Sequence, residues 1–223
     1  MMNYYLYGKT DARFVLVRPA GGHDEASEAG EYGLIRGLSG SDDFVMAAVP
    51  VASWNHDLSP WCAPPVFGKE SFGDGAKGTL SGIEKELLPA LEEALAPRDG
   101  RKYCIGGYSL AGLFSLWAAF ESTAFAGCAA CSPSVWFPGF TDYVKNHEIR
   151  TQAVYLSLGD REEKAKNRAF AAVGDCIREC DRIFEERGLK HVLEWNPGNH
   201  FRDGDLRTAK GFAWIMRKLQ DQV

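Results

Sequence analysis

A chain of 223 residues with 45% hydrophobic and 25% charged side chains carries enough apolar material for one large buried core, which excludes disordered, fibrous and repeat architectures. The formal charge of -5 comes with no basic stripe, so neither a nucleic-acid backbone nor an anionic membrane surface is an expected partner. No apolar run approaches membrane-spanning length, and Met1 to Tyr7 lacks the charged start and apolar run of a signal peptide, so the expected location is the cytoplasm.

In chain order, short apolar runs alternate with amphipathic ones. Strands are expected at Tyr4 to Tyr7, Phe14 to Val17, Phe44 to Val51, Lys102 to Ile105, Gly127 to Ala130, Ala153 to Leu158 and Val192 to Trp195. Helices are expected at Glu25 to Leu38, Ile83 to Leu95, Leu110 to Phe120, Glu163 to Arg187 and Arg207 to Leu219. This alternation implies an α/β fold with a mostly parallel sheet covered by helices on both faces. Leu110 to Phe120 is apolar nearly all round, as a helix buried against the sheet must be. Pro89 predicts a kink in its helix and Gly174 a weak point in the longer one. Ala52 to Gly78 is the least regular segment, rich in proline and glycine, and a loop of that length is more often functional than idle. No repeat or linker composition interrupts the chain, so residues 1–223 read as one domain.

Six cysteines, Cys62, Cys104, Cys128, Cys131, Cys176 and Cys180, are expected to be reduced and to act as small core residues. No Cys-x-x-Cys pair is answered by a second Cys or His pair, so no metal site is expected.

The chemistry concentrates at Ile105-Gly106-Gly107-Tyr108-Ser109-Leu110-Ala111-Gly112, which puts a serine between an expected strand and an expected buried helix. That is the context of a nucleophile elbow, where small neighbours at Gly107 and Ala111 let the turn close and Gly112 lets helix and strand approach. Gly-x-Ser-x-x-Gly arises by chance roughly 0.1 to 0.2 times per chain of this composition, so its flanking strand and helix carry the argument. A serine hydroxyl needs a base, and of five histidines His200 lies in the turn-rich Asn196-Pro197-Gly198-Asn199-His200-Phe201 after the last strand. The order serine, acid, histidine favours it over His23, His56, His147 and His191. The acid is sought in Gly159-Asp160-Arg161-Glu162-Glu163, with Glu162 first and Asp160 second. One oxyanion donor is expected from the Leu110 N–H, and the second from Pro19-Ala20-Gly21-Gly22-His23, with Gly22 the candidate.

With these positions in place, the chain resembles the esterase D and enterobactin-esterase branch of the α/β-hydrolase fold. The resemblance rests on residues 106–112, on Ser132-Pro133-Ser134-Val135-Trp136 and on Gly198-Asn199-His200. It implies that Ser132, Pro133, Ser134 and Trp136 border the active site, and it supports Glu162 over Asp160. The sequence departs from the family in having no His-Gly pair before the early glycines, and its length leaves little room for a lid domain. Trp54 and Trp61 follow a strand end and are candidate pocket walls.

The implied function is hydrolysis of a small carboxylic ester through an acyl-enzyme on Ser109, with His200 as general base and no cofactor. A thioesterase or acyltransferase would use the same apparatus, and a non-catalytic ligand-binding module would share the fold. A dinucleotide site is disfavoured because the glycine spacing is wrong and a serine occupies the turn. The expected partners are the small-molecule ester substrate and, as an open alternative, a second copy of the chain in a homo-oligomer.

Overall fold

The computed structural model describes residues 2–66 and 68–220. Seven strands, β1 (Tyr5–Gly8), β2 (Phe14–Ala20), β3 (Phe44–Pro50), β4 (Lys102–Tyr108), β5 (Gly127–Cys131), β6 (Ala153–Gly159) and β7 (Lys190–Asn196), form one sheet in the order β1-β3-β2-β4-β5-β6-β7. Among these strands β1 pairs antiparallel with β3, and the other five pairings are parallel.

Period-two alternation decides which helices each strand meets. Phe14 and Leu16 of β2 face a core with Ile35 of α1 (Glu25–Ser39) and Phe212 and Ile215 of α9 (Gly204–Gln220). Val15 and Val17 face the opposite core, with Leu113 and Phe114 of α5 (Leu110–Glu121) and Ile177 of α8 (Val173–Glu186). Each fully buried side chain of this size is worth about 1.5–3 kcal/mol. The result is an α/β-hydrolase sheet with helices on both faces.

The strands run further than their apolar runs, for identifiable reasons. β2 continues through Pro19 because β4 pairs with it only as far as Val17, while β3 pairs to its end. β4 continues through Gly106, where a Cβ would lie 2.7 Å from the Phe212 ring and 2.8 Å from the Ala129 Cβ. There glycine is what lets α9 and the next strand close in.

The helices depart from expectation in four places. The irregular segment 52–78 contains a short helix, α2 (Trp54–Asp57), and the start of α3 (Ala76–Gly82). Ahead of Pro89 the chain widens into a π turn at Ile83–Leu87 and resumes as α4 (Leu88–Ala94), which accommodates a ring that would crowd the preceding carbonyls. The single helix expected from Glu163 to Arg187 is instead a 3-10 turn (Glu162–Lys164), α7 (Arg168–Ala171) capped by Asn167, and α8. Gly174, expected as a weak point, is a close approach: a Cβ there would lie 2.2 Å from Glu163 Oε2. A further helix, α6 (Phe140–Asn146), follows Pro138 and Gly139 and has no counterpart among the expected elements.

The cysteines divide. Cys104, Cys128, Cys131 and Cys180 are buried, as small core residues should be, but Cys176 is only half-buried and Cys62 is exposed, so the core reading fails for that last one. Burial pushes the Cys104 thiol up to about 12 and Cys128 well above its ordinary range, which makes both poor nucleophiles. No helix among the described residues is long and apolar enough to cross a membrane.

Candidate active site

The strand order reverses between β2 and β4, which leaves a crevice beyond their C-terminal ends. Loops from β4, β5, β6 and β7 leave the sheet at the same end, and they carry Ser109, the Ser132–Trp136 segment, Glu162 and His200.

Ser109 sits between β4 and α5 with φ 60° and ψ -120°, a backbone conformation that costs a non-glycine residue about 1–3 kcal/mol. Tertiary bonds hold it there: its N–H donates to the Cys131 carbonyl at 3.1 Å, and its carbonyl accepts from Leu113 N–H at 3.0 Å and Ser134 N–H at 3.1 Å. The small neighbours are required by contact. A Cβ on Gly107 would lie 2.7 Å from that of Ala111, and one on Gly112 would lie 2.9 Å from the Gly107 carbonyl and 3.0 Å from that of Cys131. Leu110 opens α5, so its N–H is among the first donors of the helix, which have no acceptor within it.

His200 is carried by the loop between β7 and α9. Gly198, with φ 107°, makes the turn, and its N–H donates to Asp160 Oδ1 at 2.8 Å. Its carbonyl accepts from the Arg161 N–H at 3.1 Å, and the Tyr108 hydroxyl donates to the His200 carbonyl at 2.8 Å. The imidazole lies 2.9 Å through Nε2 from Ser109 Oγ and 2.7 Å through Nδ1 from Glu162 Oε2. A carboxylate only accepts, so Nδ1 carries the proton, and Nε2 is left to accept from the serine hydroxyl.

Glu162 is buried at the start of the 3-10 turn, and its second oxygen, Oε1, accepts from the Gly159 N–H at 2.8 Å, Ser132 Oγ at 2.7 Å and the Arg207 guanidinium at 2.9 Å. Burial alone would push this carboxyl up; the hydrogen bond and charge of His200, with the bonds from Ser132 and Gly159, outweigh it and hold Glu162 below its ordinary range. It is therefore ionised at neutral pH. Asp160, the alternative acid, makes no such bond to the imidazole, and its carboxylate pins the histidine loop instead.

The remaining expected residues fall in distinct places. Ser134 Oγ lies 3.5 Å from Ser109 Oγ. Trp136 packs against Phe72 and Phe170, whereas Trp61 joins Phe137, Phe140 and Tyr143 and donates its indole N–H to the Pro138 carbonyl at 2.9 Å. Trp54 lies beside Gly21, where a Cβ would stand 3.4 Å from its ring. Gly22 is exposed, with open space at its α-carbon. Sequence reasoning did not single out Arg207 or Tyr108, because an arginine at a helix start and a tyrosine beside a serine carry no pattern that marks them. Phe201, the neighbour of His200, is 93% exposed and meets the imidazole edge-on, with ring centroids 5.6 Å apart.

A serine hydroxyl, an imidazole and an ionised carboxylate bonded in sequence, on a strained turn at a helix N-terminus, can deprotonate the hydroxyl and stabilise an anion formed next to it. The fold is that of the α/β-hydrolases, and solved structures share it. An IroE-like serine hydrolase from Shewanella oneidensis superposes with a TM-score of 0.78 at 17% identity, over 96% of this chain and 75% of that one. The siderophore hydrolase EstA from Aspergillus nidulans gives 0.69 at 20% identity, over 96% and 84%. The enterobactin hydrolase IroE in complex with DFP gives 0.68 at 17%, over 96% and 89%. No protein-family model and no curated protein matches the sequence.

Proposed function

We propose that this protein is a serine esterase that cleaves small carboxylic esters through an acyl-enzyme on Ser109. The observation that carries this reading is the continuous hydrogen-bonded chain from Ser109 Oγ through His200 to Glu162, built on a serine held at positive φ. Ser109 attacks the ester carbonyl while His200 Nε2 takes its proton, and Glu162 stabilises the imidazolium. The Leu110 N–H donates to the developing oxyanion, and the loop after β2, at Gly22, supplies the second donor. The alkoxide collapses, the alcohol leaves with the proton from His200, and a water activated by the same imidazole hydrolyses the acyl-enzyme. The apparatus calls for no cofactor. Ser134 and the exposed Phe201 lie next to the reacting groups, and they are expected to meet substrate, as is Trp136, two residues along the same loop from Ser134. The names of the structural neighbours make siderophore esters the first natural class to screen.

Labelling with a fluorophosphonate probe, read by intact mass, tests the reading. One adduct is expected on the wild type and none on Ser109→Ala with the fold intact. A wild type that takes no adduct would refute it.

A further inference from the structure

Arg207 is the largest fully buried side chain among the described residues, at 1% exposure, and its guanidinium joins two loops that the proposed reaction needs. One terminal nitrogen donates to Glu162 Oε1 at 2.9 Å, Ser132 Oγ at 3.1 Å and the Tyr108 hydroxyl at 3.0 Å. The other donates to the carbonyls of Pro197 and Asn199, each at 3.1 Å, the second being the residue immediately before His200. Gly159 makes room for it: a Cβ there would lie 2.9 and 3.0 Å from the two terminal nitrogens and 2.4 Å from the Gly198 carbonyl. A guanidinium loses several kcal/mol of solvation on burial, and its Nε finds no partner, so an arginine here is a costly way to fill space.

We propose that Arg207 is a positioning residue for the esterase reaction inferred above, clamping the Glu162 carboxylate and the His200 loop into one unit and setting the basicity of His200 by partly neutralising Glu162. The planar fork suits this task, because it presents donors in two directions at fixed spacing, which a lysine does not. Its charge acts on His200 through Glu162. With Arg207 present, the imidazolium faces a carboxylate already paired with a cation, so protonation of His200 gains less than it would beside a lone carboxylate. The other titratable or charged groups around the imidazole are Tyr108, whose hydroxyl burial pushes up to about 12, Asp160 on the loop pinned to Gly198, and the exposed Arg202–Asp203 pair on the histidine's own loop. Tyr108 is neutral across the working range, and the others are solvated, which leaves Arg207 as the buried cation of the site.

Two variants separate the clamp from the charge. Arg207→Met removes both, while leaving Glu162 its bonds from His200, Ser132 and Gly159. Its kcat is expected to fall about 10- to 100-fold, with KM within about twofold, as the histidine loop loses its two anchors. The acid limb of its kcat/KM profile should rise by about one pH unit, because His200 then holds its proton more tightly. Arg207→Lys keeps a charge but cannot span both loops, so kcat should fall about tenfold with the acid limb unmoved. Near-UV circular dichroism monitors the fold. A folded Arg207→Met with kcat within about twofold of wild type, or with lowered kcat and an unmoved acid limb, would overturn the proposal. Failure of both variants to fold would do the same, since the role would then be structural. An inert wild type would instead signal failure of the esterase reading, and this proposal would fall with it.

Discussion

Replacing Glu162 by glutamine changes one atom of the site and has two separable consequences. Glutamine can keep its carbonyl towards Ser132, the Gly159 N–H and Arg207, which all donate, and must then present its amide to His200 Nδ1. An amide NH₂ donates, so Nδ1 has to accept and the ring proton moves to Nε2, where it faces the Ser109 hydroxyl and cannot take its proton. A histidine held in the wrong tautomer costs a serine hydrolase about 10⁴ in kcat. The second consequence is that Arg207 keeps its burial and loses its counter-charge, which costs about 3–5 kcal/mol of stability, or about 6 to 20 °C in Tm for a chain of this size. Asp160→Asn is the control: asparagine Oδ1 can still accept from the Gly198 N–H, so less than a tenfold loss in kcat is expected. Steady-state hydrolysis of 4-nitrophenyl acetate and thermal unfolding followed by circular dichroism measure both. A larger kcat loss in Asp160→Asn than in Glu162→Gln would refute the reasoning and move the acid's role to Asp160.

Two further outcomes concern stability. Glu31 on α1 is buried beside Arg18, and burial, opposed by that arginine, pushes its carboxyl from 4.5 to about 7. Between those values the folded protein holds a proton that the unfolded chain has released, so this group makes stability fall as pH rises from about 4.5 to about 7, by about 3 kcal/mol in all. Urea unfolding at a series of pH values should show the decline, and Glu31→Gln should flatten it; an unchanged slope in the variant would refute the assignment. Gly112→Ala forces a methyl against the Gly107 and Cys131 carbonyls and the Pro133 α-carbon, and backbone yields less readily than a side chain. A loss of about 1–3 kcal/mol is expected in urea, with slower fluorophosphonate labelling because those contacts surround Ser109. Wild-type values for both would remove the packing argument.

The layout of the sheet was legible because its cause is local. Apolar runs such as Phe14 to Val17 and Ala153 to Leu158 read as strands, and the all-round apolar Leu110 to Phe120 reads as a buried helix, from periodicity alone. What blurred was set by neighbours. β4 extends through two glycines because Phe212 of α9 packs against Gly106, and the helix expected from Glu163 to Arg187 is interrupted where Ala165 turns extended and Asn167 caps α7, with Glu163 packed onto Gly174.

The candidate site divides along the same line. By itself the sequence determined a serine between small residues at a strand–helix junction, a histidine in a glycine turn after the last strand and a loop with competing acids, because turn chemistry and chain order are written in adjacent residues. Only the tertiary structure decided which carboxylate meets the imidazole, since Asp160 and Glu162 differ not in type of environment along the chain but in the direction their side chains take. It alone brought Ser109 to a histidine 91 positions away, and it alone put Arg207 between Glu162 and the histidine loop. A buried charge is recognised by the partners that surround it, and those partners come from four different elements of the fold.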